Sequence, residues 1–260
     1  MLKFDVFTDI LEKIAPIRLS QKMIELGHYD NSGVIVKNTQ QIKRVLFTLD
    51  LTAVAVSKAK ELGCDTIITH HPAIYAPLKN LSIDNETAPL LDAIKSGMNV
   101  ISMHLNLDVA DYGIDQELAK VFAEDEPKIL ELIDGEHGYG REFTVNKTLN
   151  DLVGMAKERL GTDKIICYGE GKCVKMATFC GSGGGSALDA VLSGNTDADT
   201  ILTSDVQHHQ LKELIEKMVK VIIIPHYVAE DYGFNKFYER VKSSIEREVE
   251  LFYFRDERFV

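Results

Sequence analysis

The chain has 260 residues, is 45% hydrophobic and carries a formal net charge of −11. That length supports a real core, in one large domain or two of ordinary size. The acidic balance, with no basic run, argues against a nucleic-acid backbone as partner, because such binding needs a positive stripe to displace counterions; a nucleotide stays open, since bound metal ions can supply positive charge locally.

In chain order, the first segment has Phe4, Phe7, Leu11 and Ile14 at helical spacing, with Asp5, Asp9 and Glu12 among them. An amphipathic helix of the mature protein is expected there rather than a signal peptide. Arg44–Asp50 reads as a strand, followed by a helix that Thr52 caps and Gly63 ends. Asp65–Thr69 and Asn99–Met103 are short apolar runs without alternation, as expected of strands covered on both faces. Helices are expected over Ala88–Ser96 and Ile114–Ala123, completing a doubly wound α/β unit.

Glu124–Lys128, charged and with a proline, is the linker candidate. The expected domains are therefore 1–125 and 126–260, with the segment from about 226 returning to the first. In the second half a helix is marked by Leu149, Leu152, Val153, Ala156 and Leu160 and ended by Gly161. Val174–Cys180 reads as a strand, Gly181–Ser186 as a turn and Ala187–Ser193 as a helix. Thr200–Asp205 and Lys220–Ile224 read as strands around a helix near Gln207–Met218. A last helix, Asn235–Glu248, precedes a final strand. The fold class is α/β in two domains. No apolar run approaches the roughly 20 residues of a membrane span, so a cytoplasmic protein is expected. None of the four cysteines makes a C-x-x-C pair; free thiols are expected, with Cys64 and Cys180 as small core residues.

Ligands of open α/β sheets collect at the carboxyl ends of strands. Four expected strands end in clusters containing histidine: His70-His71-Pro72; His104 with Asn106 and Asp108; His208 and His209; and Pro225-His226 with Glu230. Only His28 and His137 lie elsewhere. One histidine at a strand end is usually a polar residue near solvent, but four such ends point to a site. Imidazole and carboxylate suit zinc, iron, manganese or nickel. Pro72 breaks the strand so that adjacent histidines can serve two ions. His226 and Glu230 are four apart, which on a helix would put them on one face, and a carboxylate there can bridge ions roughly 3.5–4 Å apart. The candidate metal ligands are His70, His71, Asp108, His226 and Glu230. His104 and Asn106 read either as groups orienting a ligand or as loop hydrogen bonds. Asp205 and His209 read as substrate-binding or proton-shuttling groups, or as a surface pair opening a helix. His104 and His209 are the candidate catalytic shuttles. The glycines of Gly181–Ser186 lack the Lys-Ser/Thr of a P-loop and read as a tight turn rather than a phosphate cradle.

These segments together resemble the NIF-three-like family, also named type 2 homologues of GTP cyclohydrolase I. The resemblance runs over nearly the whole chain: YDNSG (29–33), LFTLDLT (46–52), IITHHP (67–72), HLNLD (104–108), CGSGGGS (180–186), ILTSDVQHH (201–209) and HYVAE (226–230). It implies two α/β domains with a dinuclear metal site at the strand ends near the domain interface. It assigns one ion to His70, Asp108 and Glu230 and the other to His71, His226 and Glu230. It also implies a ring-shaped hexamer, a trimer of dimers, in a compact form without an inserted middle domain. The chain departs from the family in having no tryptophan before Asp30-Asn31, Pro225 where glycine is usual, and Ala229 where threonine is common. None of these is a candidate ligand. The functional expectation is a metal-dependent hydrolase of a nucleotide or phosphorylated small molecule using two divalent ions per subunit, the family label suggesting ring-opening of GTP. The alternatives are a metal carrier, store or regulatory partner, or a di-iron redox site.

Overall fold

The structure, a computed structural model, describes residues 1–245 and 248–260. The chain divides into two compact units, Met1–Ala110 with Phe234–Asp256, and Asp111–Gly233 with Glu257–Val260.

The first unit opens with β1 (Leu2–Lys3) and the expected amphipathic helix α1 (Phe4–Ile14), which buries Phe4, Phe7 and Leu11. Pro16 then restarts a helix, α2 (Ile17–Glu25), that the sequence reading did not include. After β2 (Gly33–Val36) and β3 (Gln41–Ile42) come three parallel strands: β4 (Arg44–Thr48), β5 (Thr66–Thr69) and β6 (Asn99–Ser102). Every residue of β5 and β6 is buried, which is why their sequences run apolar without alternation. The crossovers are α3 (Ala53–Glu61) and α4 (Ala88–Lys95). Thr52 caps α3 by accepting from Ala55 N at 3.1 Å, and Gly63 leaves it in the left-handed region at φ +66°. Leu46, Ile67 and Val100 of the sheet pack with Val56, Ala59 and Ala93 of these helices. Cys64 joins this core, and burial pushes its thiol up to about 12, so it is an inert packing residue. A short helix, α5 (Leu105–Val109), follows β6.

The second unit begins with α6 (Ile114–Lys120), shorter than expected. Glu124–Lys128, the linker candidate, lies inside this unit, where Asp125 accepts from both the amide and the hydroxyl of Thr144. The sheet comprises β7 (Lys128–Leu132), β8 (Gly138–Thr148), β9 (Ile166–Tyr168), β10 (Lys172–Thr178), β11 (Thr200–Thr203) and β12 (Lys220–Ile223), in the order β7-β8-β10-β11-β12-β9. Its centre, β10-β11-β12, is parallel, and the flanking pairs are antiparallel. Helix α7 (Leu149–Leu160) has a capping box, Thr148 with Asp151, and ends at Gly161 at φ +70°. Helix α8 (Gly184–Ser193) starts three residues before the expected Ala187, so two glycines form its first turn. Helix α9 (His208–Glu216) follows β11.

The last helix, α10 (His226–Ser244), starts nine residues before the expected Asn235; Glu246 and Arg247, within the expected helix, lie outside the described residues. Its Phe234, Phe237 and Tyr238 cluster with Phe47 of β4 at ring distances of 6.2, 5.9 and 5.3 Å, covering the sheet of the first unit on the side away from Leu46. Strand β13 (Glu250–Tyr253) then pairs parallel to β4 and completes the order β13-β4-β5-β6-β2.

Candidate metal centre

In the first unit, β5 ends in a pinned corner. Leu49 O accepts from both His70 N (3.1 Å) and His71 N (3.0 Å), and Thr69 Oγ1 bonds to His71 O and Ser102 Oγ, each at 2.8 Å. The corner sets the two imidazoles side by side, ring centres 5.0 Å apart. His104 enters from the end of β6, 5.1 Å from His70 and 5.8 Å from His71. One ligand atom of each of these three histidines lies within 4.8 Å of the others, a group that can hold a metal ion. Asp108, on α5 and 5% exposed, has Oδ1 3.5 Å from Nε2 of the fully buried His70.

Each of these rings has one nitrogen already committed. His70 Nδ1 is 2.8 Å from Met103 O, and a carbonyl only accepts, so Nδ1 carries the proton. His71 Nδ1 is 2.7 Å from Asp50 Oδ1, and His104 Nδ1 is 2.7 Å from Asp30 Oδ1. Asp30 also accepts from Ser32 and Ser20. Burial pushes its carboxyl up, but the bonds from His104, Ser20 and Ser32 outweigh that and hold it down at about 2. Asn106 is fully buried and donates to Ala15 O at 2.7 Å, which fixes the α5 loop.

The second unit repeats the device. His226, at the start of α10, has Nδ1 2.7 Å from Asp205 Oδ2 and Nε2 3.0 Å from Glu230 Oε1, one turn along. Gly181 makes the room: a Cβ there would lie 2.3 Å from Glu230 Oε1 and 3.4 Å from His226 Nε2, and its φ is +60°. The Cys180–Gly181 corner is held from several sides. Cys180 N donates to Asp115 Oδ1 at 3.3 Å, Tyr139 donates to Cys180 O, and Asp205 N donates to Gly181 O at 3.3 Å. Asp115 is fully buried and sits 3.1 Å from Arg141; burial raises its carboxyl to about 6 against the pull of Arg141. Gly233, within α10, permits close approach to α6, for a Cβ there would meet Ile114 Cα at 2.6 Å. His209 is exposed in the first turn of α9.

The donor set fits a divalent cation. A neutral imidazole protonated at Nδ1 presents a lone pair at Nε2, and in both units that lone pair faces a carboxylate oxygen. Two acceptors at 3.0–3.5 Å repel; a cation binding both turns the pair favourable, and the Nδ1 bonds to oxygen acceptors are the usual orienting partners of metal-ligating histidine.

The model of the family described as Duf34/NIF3 (NGG1p interacting factor 3) matches residues 2–258. The chain belongs to the Duf34/NIF3 family. A relative named GTP cyclohydrolase 1 type 2 homolog, from Clostridium perfringens, is 28% identical over 96% of this chain and 95% of its own length. The protein NIF3 homolog of Schizosaccharomyces pombe is 29% identical over 76% of each chain. Reduced HcgD from Methanocaldococcus jannaschii has a similar structure, with a TM-score of 0.80 and 25% identity over 97% of each chain. Among the described residues no helix is long and apolar enough to cross a membrane.

Two residues of this Duf34/NIF3 chain had no role in the sequence reading and have one in the structure, Asp30 and Asp50, which orient His104 and His71; Gly181, read there only as part of a tight turn, admits Glu230 by its missing side chain. Asp50 had a visible signal, since it closes a strand next in the sheet to the one ending in His70-His71.

Proposed function

We propose that the protein is a metal-dependent hydrolase acting on a nucleotide or another phosphorylated small molecule, with two divalent ions per subunit held by His70, His71, Asp108, His226 and Glu230. His70, Asp108 and Glu230 serve one ion, His71, His226 and Glu230 the other, and Glu230 is shared. The observation that carries this reading is that His70, His71 and His226 each have Nδ1 spent on an oxygen acceptor, while Nε2 of His70 and of His226 faces a carboxylate within its own unit. When bound, such a pair of ions supplies Lewis acidity towards substrate oxygens and a water acidic enough to react near neutral pH.

The chain's own residues do the rest. Asp50 and Asp205 keep His71 and His226 in one tautomer. His104, backed by Asp30 and partly open to solvent, takes or returns a proton at Nε2, with His209 as a second shuttle at the rim. The names of the relatives point to GTP ring-opening as one reaction to test. The proposal includes a cytoplasmic location and, as the family resemblance implies, a hexamer of three dimers. The test is to load purified protein with zinc, iron, manganese or nickel and follow GTP and a panel of phosphomonoesters and phosphodiesters. Turnover that Glu230→Ala abolishes supports the proposal; turnover that survives it unchanged refutes it.

One observation favours a second reading, a metal carrier. The side chains of His71 and His226 are 28% and 30% exposed, which eases metal exchange. Release of metal to a chelator within seconds, with no turnover on any panel, would select it.

A further inference from the structure

In the first unit three aromatic rings stand in a row that starts at the candidate metal ligands. His104 is followed by Tyr75, ring centres 6.3 Å apart, and Tyr75 by Tyr29 at 5.0 Å. We infer that Tyr75 and Tyr29 form a stacking subsite for a nucleobase. That this base belongs to a substrate rests on the function proposed above; its binding does not.

The row runs from the interior to solvent. His70, against which His104 packs at 5.1 Å, is fully buried, and the His104 side chain is 14% exposed. Tyr29 and Tyr75 are 47% and 54% exposed. Their contacts are edge-type, at interplanar angles of 61° within the pair and 84° between Tyr75 and His104, so no ring of the row is covered by a parallel neighbour. An aromatic face left in water is a platform for a planar π-system, and stacking on it is tolerant of which base arrives.

The backbone under the pair is fixed, unlike that of loose surface side chains. Asn31 Nδ2 donates to Ile74 O at 2.6 Å and so ties the loop of Tyr29 to the loop of Tyr75. Ala73 N donates to Ser102 Oγ, and His104 N to Ser32 Oγ, each at 3.1 Å. Tyr29 directly precedes Asp30, which holds His104, and Tyr75 follows the His71-Pro72 corner. A ring bound here is therefore held in register with the histidines, and preplaced aromatic side chains lose little freedom on binding. The bridge also supplies polarity. A carboxamide that has spent one N–H keeps a second N–H and an acceptor oxygen, the pair that reads the edge of a base and that a hydrocarbon ring would leave unused.

The test adds the full chain, freed of metal by a chelator, to guanosine, with ribose as the control, and follows the nucleoside by NMR. Wild type is expected to move the base H8 signal upfield saturably, the signature of stacking on an aromatic face, and to leave ribose unchanged. Tyr75→Ala and Tyr29→Ala are each expected to weaken guanosine about tenfold, with melting temperatures held because both rings are exposed. Tyr75→Phe keeps the ring face and should keep the affinity. No saturable upfield shift, ribose bound as tightly as guanosine, full affinity in Tyr75→Ala, or equal losses in Tyr75→Phe and Tyr75→Ala would overturn the inference. So would a changed oligomeric state in Tyr75→Ala with guanosine affinity intact, which assigns the pair to contacts between copies. The same titration of Glu230→Ala separates the two proposals. Guanosine stacking retained by that variant supports the subsite even if the metal reading fails. Hydrolysis of a base-free phosphoester by metal-loaded protein that shows no guanosine stacking overturns the subsite and leaves the hydrolase reading intact.

Discussion

Gly181 and Glu230 leave no space between them for a methyl group: a Cβ on Gly181 would sit 2.3 Å from Glu230 Oε1. The glycine-rich turn after β10 therefore does its first job by being absent. It lets the carboxylate at the first turn of α10 lie beside His226 Nε2 while buried to 3% exposure. Gly181→Ala is expected to push Glu230 off that position and to carry the strain of a left-handed backbone, about 1–2 kcal/mol. Metal content should fall towards that of Glu230→Ala, with a modest drop in melting temperature. Full metal content in Gly181→Ala would show that the corner can shift at little cost.

The aspartates behind the histidines act through orientation. Asp50→Ala and Asp205→Ala each release one Nδ1–H, from His71 and His226 respectively. Loss of such a partner typically weakens metal binding about 10–100-fold. Competition with a chelating dye measures it directly. Because both aspartates are partly exposed, unfolding midpoints of the metal-free variants should stay close to wild type. Unchanged metal affinity would mean that packing alone fixes the rings.

Asp30 gives the first unit an acid dependence. Its carboxyl is held at about 2 by bonds from His104, Ser20 and Ser32 that outweigh burial, against an ordinary 3.8. A depressed folded value stabilises above the unfolded one and loses that contribution as pH falls through the folded value. The contribution is roughly 2 kcal/mol at neutral pH, lost between about pH 4 and pH 2. Urea unfolding of wild type and Asp30→Asn, compared from pH 7 down to pH 2, should show a gap that narrows over that window. A gap constant with pH would refute the assignment.

Asp115 works in the opposite sense. Burial raises its carboxyl to about 6, above the ordinary 3.8, despite Arg141 at 3.1 Å. A raised carboxyl favours the folded state less as pH climbs from the unfolded value through about 6. Arg141→Met strands the buried charge and should cost about 3–5 kcal/mol at neutral pH, an effect that shrinks at pH 4, where Asp115 takes up a proton. Equal losses at both pH values would contradict this.

The parts of the fold legible in the sequence were those with one dominant physical signal. β5 and β6 are covered on both faces and run apolar, while α3 and α7 carry a Thr cap and a terminal glycine. β8 was missed because its GYGREFTVNKT mixes glycines and charges, and those glycines answer to contacts: Gly140 faces the ring of Phe179, 2.5 Å from where its Cβ would be. The first turns of α8 and α10 were missed for the same reason, since Gly184 and Gly233 weaken helical patterning while serving close packing. In the candidate site, the strand-end rule picked out His70, His71 and His104, whose ligand atoms the structure brings within 4.8 Å of one another. It did not find Asp30, which reaches His104 across 74 positions of sequence, because such a partner is set by the sheet's register and not by any spacing along the chain.

The proposal that Glu230 is shared by two ions is tested most directly by metal content per subunit, measured by elemental analysis on wild type, Asp108→Ala and Glu230→Ala purified with excess zinc or manganese. Two ions in wild type, close to one in Asp108→Ala and close to none in Glu230→Ala are expected, with all three proteins folded by circular dichroism. Equal losses in the two variants, or a wild-type protein that retains no metal, would contradict a dinuclear centre built on these five side chains.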